Sequence, residues 1–186
     1  SKVVQMRVGA VFARYCDGRA GLDHICMSLC RYIDSGQTPT TLVVATAPRD
    51  VLDPFVRRAV PVWAWPVVRR ICTDVSGLAE AKFARALSQI DVAYLWGPCS
   101  LGLYRRAQDL GVTIVREKYN CAVGAVKRIL REAYHRLGWT PEESISDDYV
   151  AYERRTMSLT DFVFCPSPLV AQSLLNDGVP AEKLIN

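Results

Sequence analysis

The sequence predicts an α/β fold built on a doubly wound parallel sheet. Three observations carry this. Short apolar runs alternate with longer amphipathic stretches over all 186 residues. The runs are rich in β-branched residues, and Gly, Pro or Asp punctuates their ends. The length suits about one domain, at roughly 150 residues per domain. Strands that alternate with helices form βαβ units, whose crossovers place helices on both faces of one sheet. A single Rossmann-like sheet is the default for that pattern.

Residues 6–13 (MRVGAVFA) are the first predicted strand. Residues 21–33 follow as a helix, because Leu22, Ile25, Cys26, Leu29 and Ile33 recur at helical spacing. Asp34-Ser35-Gly36 closes it. Residues 40–47 are the second strand, and residues 59–65 (AVPVWAW) the third, with Pro61 placing it at a sheet edge or a strand start. Residues 76–90 read as a helix with Ser76 as N-cap. Residues 91–96 are the fourth strand, ended by Gly97-Pro98. Residues 100–110 are helical, with Gly111 where a C-terminal cap belongs. Residues 112–117 are the fifth strand. Then come a basic helical stretch (122–139), an acidic loop (141–148), a helix (150–159), a sixth strand (160–165) and a last helix (168–177) that stops at Gly178.

Hydrophobic residues make up 50% of the chain and charged residues 23%, which excludes a disordered chain, a collagen and a coiled-coil rod. The net charge of +4 is too small for a dedicated nucleic-acid binder, so no nucleic-acid partner is expected. Seven cysteines, an odd number scattered through apolar segments with no CxxC, read as reduced buried thiols. Cys26 and Cys30 share a helix face. With only His24 and His135 as imidazoles, no metal site is expected. No apolar run reaches the ~18 residues of a membrane span, and the N-terminus lacks a signal-peptide pattern. Together these point to a cytoplasmic protein.

In doubly wound sheets the ligand crevice lies outside the carboxyl ends of the strands. The candidate segments are therefore 14–21, 47–49, 96–100, 117–121 and 166–168. Gly18 and Gly21 sit between a strand and a helix, as either a phosphate-approaching loop or a plain tight turn. Their spacing matches neither a dinucleotide fingerprint nor a P-loop. Glu117-Lys118-Tyr119-Asn120 follows the fifth strand. It offers partners for a hydroxyl-rich ligand, with Glu117 as a general base if buried, or else a surface ion pair. The helix at 122–139 is +3 opposite an apolar face of Val123, Val126, Ile129, Leu130, Tyr134 and Leu137. It packs on the domain or lies on an anionic membrane. The repeated arginine pairs read as solvated, His24 as an orienting or surface group, and Trp63 and Trp65 as packing.

The last third carries a resemblance. Glu153 on a helix, then Thr160-Asp161, the run Phe162-Val163-Phe164 and Ser167 resemble a recurring pattern. Gly178-Val179 and Glu182-Lys183-Leu184-Ile185 resemble its continuation, and Ala20-Gly21-Leu22-Asp23 resembles its opening Gly-Gly-apolar-Glu. The pattern is that of the N-terminal domain of retaining GT-B glycosyltransferases of the family 4 group.

The resemblance implies that residues 1–186 are one half of a GT-B architecture, with a variable insert at about 122–148. This half would bind the acceptor, while a C-terminal domain outside this chain would hold the nucleotide-sugar donor. It implies sugar transfer with retention, without a metal and with no cofactor beyond the nucleotide-sugar co-substrate. The acceptor would be a glycan, a lipid-linked molecule or a small molecule, with peripheral membrane contact through 122–139 at the inner face. The fragment alone would be inactive. Cleft residues are expected at Gly18, Gly21, Trp96, Glu117, Lys118, Asn120 and Ser167. Ala20 replaces the first family glycine. No His stands where many members carry one, so no catalytic residue is assigned. The alternative is a stand-alone Rossmann-like binding or regulatory module.

Overall fold

A computed structural model describes residues 5–19, 21–36, 38–140 and 145–186. The chain divides into two compact units, one ending at Val115 and one running from Arg116 to Asn186.

The first unit holds β1 (Val8–Tyr15), α1 (Gly21–Ser35), β2 (Thr40–Thr46), β3 (Val56–Arg58), α2 (Trp65–Ile71), α3 (Val75–Ala86), β4 (Val92–Trp96), α4 (Leu101–Asp109) and most of β5 (Thr113–Glu117). Its strand order is β3-β2-β1-β4-β5. β1 pairs in parallel with β2, with Ala10 beside Leu42, and with β4, where Ala10 lies beside Tyr94. The first six residues of β1 are all buried, as expected of a central strand covered on both faces. On one face Ala10, Phe12, Leu42, Val44 and Trp96 pack against Cys26, Met27 and Cys30 of α1. On the other, the connection from α3 to β4 comes so close that a Cβ on Gly9 would stand 2.6 Å from Ile90 Cδ1, with Phe83 of α3 at 3.1 Å. That contact explains a glycine in the middle of a strand.

The second unit begins with the end of β5 and contains α5 (Val123–Arg136), α6 (Asp147–Leu159), β6 (Phe162–Phe164), α7 (Pro168–Asn176) and β7 (Leu184–Ile185). β6 and β7 pair in parallel, and Lys118 N donates to Phe164 O at 3.0 Å. Met157, Val163, Val170 and Leu174 form its core. Ser100, Ser146 and Ser167 cap α4, α6 and α7 by accepting from the backbone N–H three residues on.

The α/β doubly wound parallel sheet is the architecture expected from the sequence, and four local expectations are corrected. The third strand is Val56–Arg58, not 59–65. Pro61 instead starts a turn, accepting from Ala64 N and Trp65 N, and Pro66 leads into α2. The N-cap of α3 is Asp74, whose side chain accepts from Gly77 N, while Ser76 Oγ donates to Ala13 O. Trp63 is not packed but 76% exposed. Finally, α5 packs only through its first turns, with Val123 and Ala125 buried, and leaves Ile129 and Leu137 about 60% exposed. Of the expected acidic loop, residues 141–144 lie outside the described residues, and Asp147 and Asp148 form the first turn of α6.

Candidate functional site

Sheet order points to the site in the first unit. Chain order reverses at β1, which has β2 on one side and β4 on the other. The connections from such neighbouring strands leave in opposite directions and open a crevice at the carboxyl ends. The loops there are 16–21 after β1 and 97–100 after β4.

The loop after β1 turns through Gly18 at φ 69° and enters α1 at Gly21, φ 67°. Both lie in the left-handed region where glycine is at ease. A Cβ on Gly18 would also press Met27 Cγ at 3.3 Å. One side chain organises the turn. Asp23 Oδ2 accepts from Asp17 N at 3.1 Å and from Gly18 N at 3.0 Å. His24 Nδ1 lies 2.9 Å from Gly18 O. A carbonyl only accepts, so this nitrogen carries the hydrogen. Asp17 Oδ1 accepts from Arg19 N, and that bond, with Asp23, holds the Asp17 carboxyl below its ordinary range. Arg19 reaches out to Asp50 at 2.6 Å. A carboxylate thus already sits on two amides of this loop, which the sequence left open between a phosphate-approaching loop and a plain tight turn. The loop is preorganised, and its anion is its own. Asp23, in the first turn of α1, was the available sequence signal.

Across the crevice, Gly97 turns the chain at φ 77° with no atom within 4 Å of where a Cβ would be. Ser100 then caps α4, and Glu80 of α3 accepts from Ser100 N at 2.9 Å. A shallow cavity of about 420 Å³ lies here between α3 and α4, lined by Asp74, Glu80, Ser100 and Arg106. Trp96, expected to line the cleft, is in the core at 2% exposure, edge-on to Tyr94.

The second unit gathers the remaining expected residues in two ways. Glu117 is half-buried and Asn120 exposed at the end of β5. Ser167 is committed as the α7 cap, accepting from Val170 N. Lys118 turns inward: Nζ donates to Cys121 O at 2.8 Å and stands 3.1 Å from Glu153 Oε1. The other Glu153 oxygen accepts from Val123 N, at the start of α5 where a negative charge is favoured. Burial holds the Lys118 ammonium below lysine's ordinary range, against the opposing pull of Glu153. Arg116 is also buried, with Nη1 donating to Thr156 Oγ1 at 2.6 Å. Sequence reasoning placed Glu153 on a helix but missed this bond, since the two residues are 35 positions apart and no local pattern joins them.

No family model and no curated protein matches the sequence. Solved structures do match the fold. A UDP-N-acetylglucosamine 2-epimerase aligns at TM-score 0.58 and 13% identity, over 97% of this chain and 47% of its own. The apo form of the lipopolysaccharide outer core galactosyltransferase WaaB aligns at 0.55 and 9%, over 97% and 45%. Anabaena Alr3699/HepE in complex with UDP aligns at 0.55 and 11%, over 97% and 43%. The chain spans somewhat under half the length of each. Its Rossmann-like fold is therefore the fold of about half of proteins that include glycosyltransferases and UDP-sugar epimerases, as a GT-B half-domain is.

Proposed function

We propose that this chain is the acceptor-side half of an enzyme that transfers a sugar from a nucleotide-sugar donor. The observation that supports it is the match of almost the whole chain to less than half of a galactosyltransferase and of a UDP-bound protein. The switch-point crevice, with Gly18, Gly21 and Gly97 bringing backbone to its edge, is consistent with it. In this reading the donor is held by a domain outside these residues. Transfer proceeds with retention and without a metal, and the nucleotide-sugar is the only co-substrate. The acceptor is a glycan, a lipid-linked molecule or a small molecule, and residues 122–148 shape its choice. Glu117 and Asn120 are the proposed acceptor-hydroxyl partners. Exposed Ile129, Leu137 and Trp139 give the 122–139 stretch a route to lipid at the inner face of a membrane. No helix among the described residues is long and apolar enough to cross one.

The test is a transfer assay on the complete reading-frame product with a panel of UDP-sugars, reading product anomer by NMR. Glu117→Ala is expected to lower turnover or raise acceptor KM with unchanged Tm. Unchanged kinetics would remove Glu117 from the site. A second reading, favoured by the epimerase alignment, is inversion at a sugar carbon with no acceptor. Conversion of UDP-N-acetylglucosamine to its 2-epimer in the absence of acceptor would select it.

A further inference from the structure

We propose that a cavity in the second unit, between α6 and the C-terminal end of α7, is a binding site for a small organic anion, an apolar or aromatic body that carries one carboxylate. This does not rest on the sugar-transfer reading, and none of the residues expected at the crevice lines the cavity. Its volume is about 410 Å³, within the range of roughly 300–1,000 Å³ usual for small-molecule sites. Buried Met157, Leu174 and Val179, with Pro180, supply apolar walls. The turn that ends α7 borders it. Val179 N donates to Leu174 O at 3.0 Å, and the chain folds back through Gly178 at φ 92°. No atom lies within 4 Å of where a Cβ on Gly178 would stand, so the turn leaves open space at this edge. The opposite wall is an ion pair, Arg154 Nη2 to Asp177 Oδ1 at 2.7 Å. α5 presses on that pair: a Cβ on Gly124 would stand 3.0 Å from Asp177 Oδ1 and 3.7 Å from Arg154 Nη2. Apolar walls with a few fixed polar groups are what a small-molecule site needs.

The polar groups name the ligand. The acceptors of the lining already have donors. Glu153 Oε1 stands 3.1 Å from Lys118 Nζ, and its other oxygen accepts from Val123 N. Asp177 accepts from Arg154 through both oxygens, at 3.2 and 2.7 Å. Leu174 O and Leu175 O accept from the amides of the turn. Donors are left over. A guanidinium carries more N–H groups than the Asp177 pair uses. Lys183 Nζ donates to Ser158 O at 3.2 Å and Thr160 O at 2.6 Å, which anchors it over the last turn of α6. It has no acidic side-chain partner among the described residues, and its ammonium has a further N–H to give. An oxyanion takes what this lining offers, a charge-assisted hydrogen bond from a cation held beside apolar walls. An organic ammonium would meet Arg154 and Lys183 with like charge and find the carboxylates already paired.

The test is titration of the ¹⁵N-labelled 186-residue protein, followed by amide NMR shifts. The probes are 4-phenylbutyrate, its neutral amide and the cationic 4-phenylbutylamine. The carboxylate is expected to give saturable shifts at Leu174, Gly178, Val179 and Lys183. The amide is expected to bind about tenfold more weakly, and the amine not to saturate. Lys183→Gln keeps a donor for the α6 carbonyls and removes the charge, so it is expected to bring the carboxylate down to the level of the amide. Ser158 is exposed and its hydroxyl bonds only within its helix, to Arg155 O. Ser158→Phe is therefore expected to keep the parent Tm, fill the cavity and abolish binding of both. No saturable shift with the carboxylate, equal binding of carboxylate and amide by the parent, or tighter binding of the amine overturns the proposal. So does a carboxylate preference that Lys183→Gln leaves intact, or parent-like binding by a folded Ser158→Phe.

Discussion

Lys118 Nζ lies 3.1 Å from Glu153 Oε1, and both side chains are at most 10% exposed. The lysine follows the strand that opens the second unit, and the glutamate belongs to α6. Through its second oxygen the same carboxylate holds the first turn of α5. One buried acid thus ties a strand end to the starts of the segments that follow.

Removing one member leaves the other buried and unpaired. Glu153→Ala is expected to lower stability by about 3–5 kcal/mol, and Lys118→Met with Glu153→Leu by much less. Urea denaturation of the two variants decides it. Equal losses would mean that packing, not charge pairing, sets the cost.

Lys118 also predicts a pH dependence. Its folded pKa lies below the ordinary lysine value of 10.5, chiefly because of burial. Between the two values the unfolded chain binds more protons, so this residue makes stability rise with pH up to about that ordinary value. Lys118→Met is expected to flatten the alkaline part of the stability profile relative to the parent. The comparison of the two profiles by urea midpoint checks the sign.

Gly9 is expected to resist a side chain. Gly9→Ala would drive its methyl into Ile90 Cδ1 and cost about 1–3 kcal/mol. Because the obstacle is the end of a side chain, Ile90→Val is expected to return part of that loss. A double-mutant cycle on thermal stability measures the coupling.

Asp23→Ala removes the acceptor for two loop amides and is expected to cost about 1–3 kcal/mol. Hydrogen exchange at Gly18 N is expected to quicken more than exchange in β1. A uniform change along the chain would mean that Asp23 acts on global stability rather than on this turn.

The thiols are expected to react in two classes. Cys72 and Cys121 are half-buried, whereas Cys16, Cys26, Cys30, Cys99 and Cys165 are buried. Burial, helped by the Asp23 charge, pushes the Cys16 thiol up to about 12 from 9.0. Ellman's reagent at neutral pH is expected to modify Cys72 and Cys121 first and Cys16 only on unfolding. Because Cys16 keeps its proton longer when folded, its contribution to stability falls as pH rises from about 9 toward 12.

The sequence by itself determined the alternation of elements. Helical spacing in residues 21–33, the β-branched run at 40–47 and the serine before Leu101 each act within a few residues, so local pattern reveals them. The fold class, the left-handed Gly18, Gly21 and Gly111, and the buried Cys26–Cys30 face followed. Tertiary structure decided what depends on partners far apart in the chain. Residues 59–65 are apolar enough for a strand, yet Pro61 and the place of β3 at the end of the sheet order turn them into the approach to α2. Trp96 looks like a cleft aromatic but ends a central strand covered on both faces. Lys118 looks like a solvent-facing neighbour of Glu117, yet alternation along the strand sends it to the opposite face, where only folding brings Glu153. Periodicity states which side of an element is apolar. Whether that side is then covered depends on what the rest of the chain places against it, and the described residues leave Trp63, Val67 and Ile71 largely exposed.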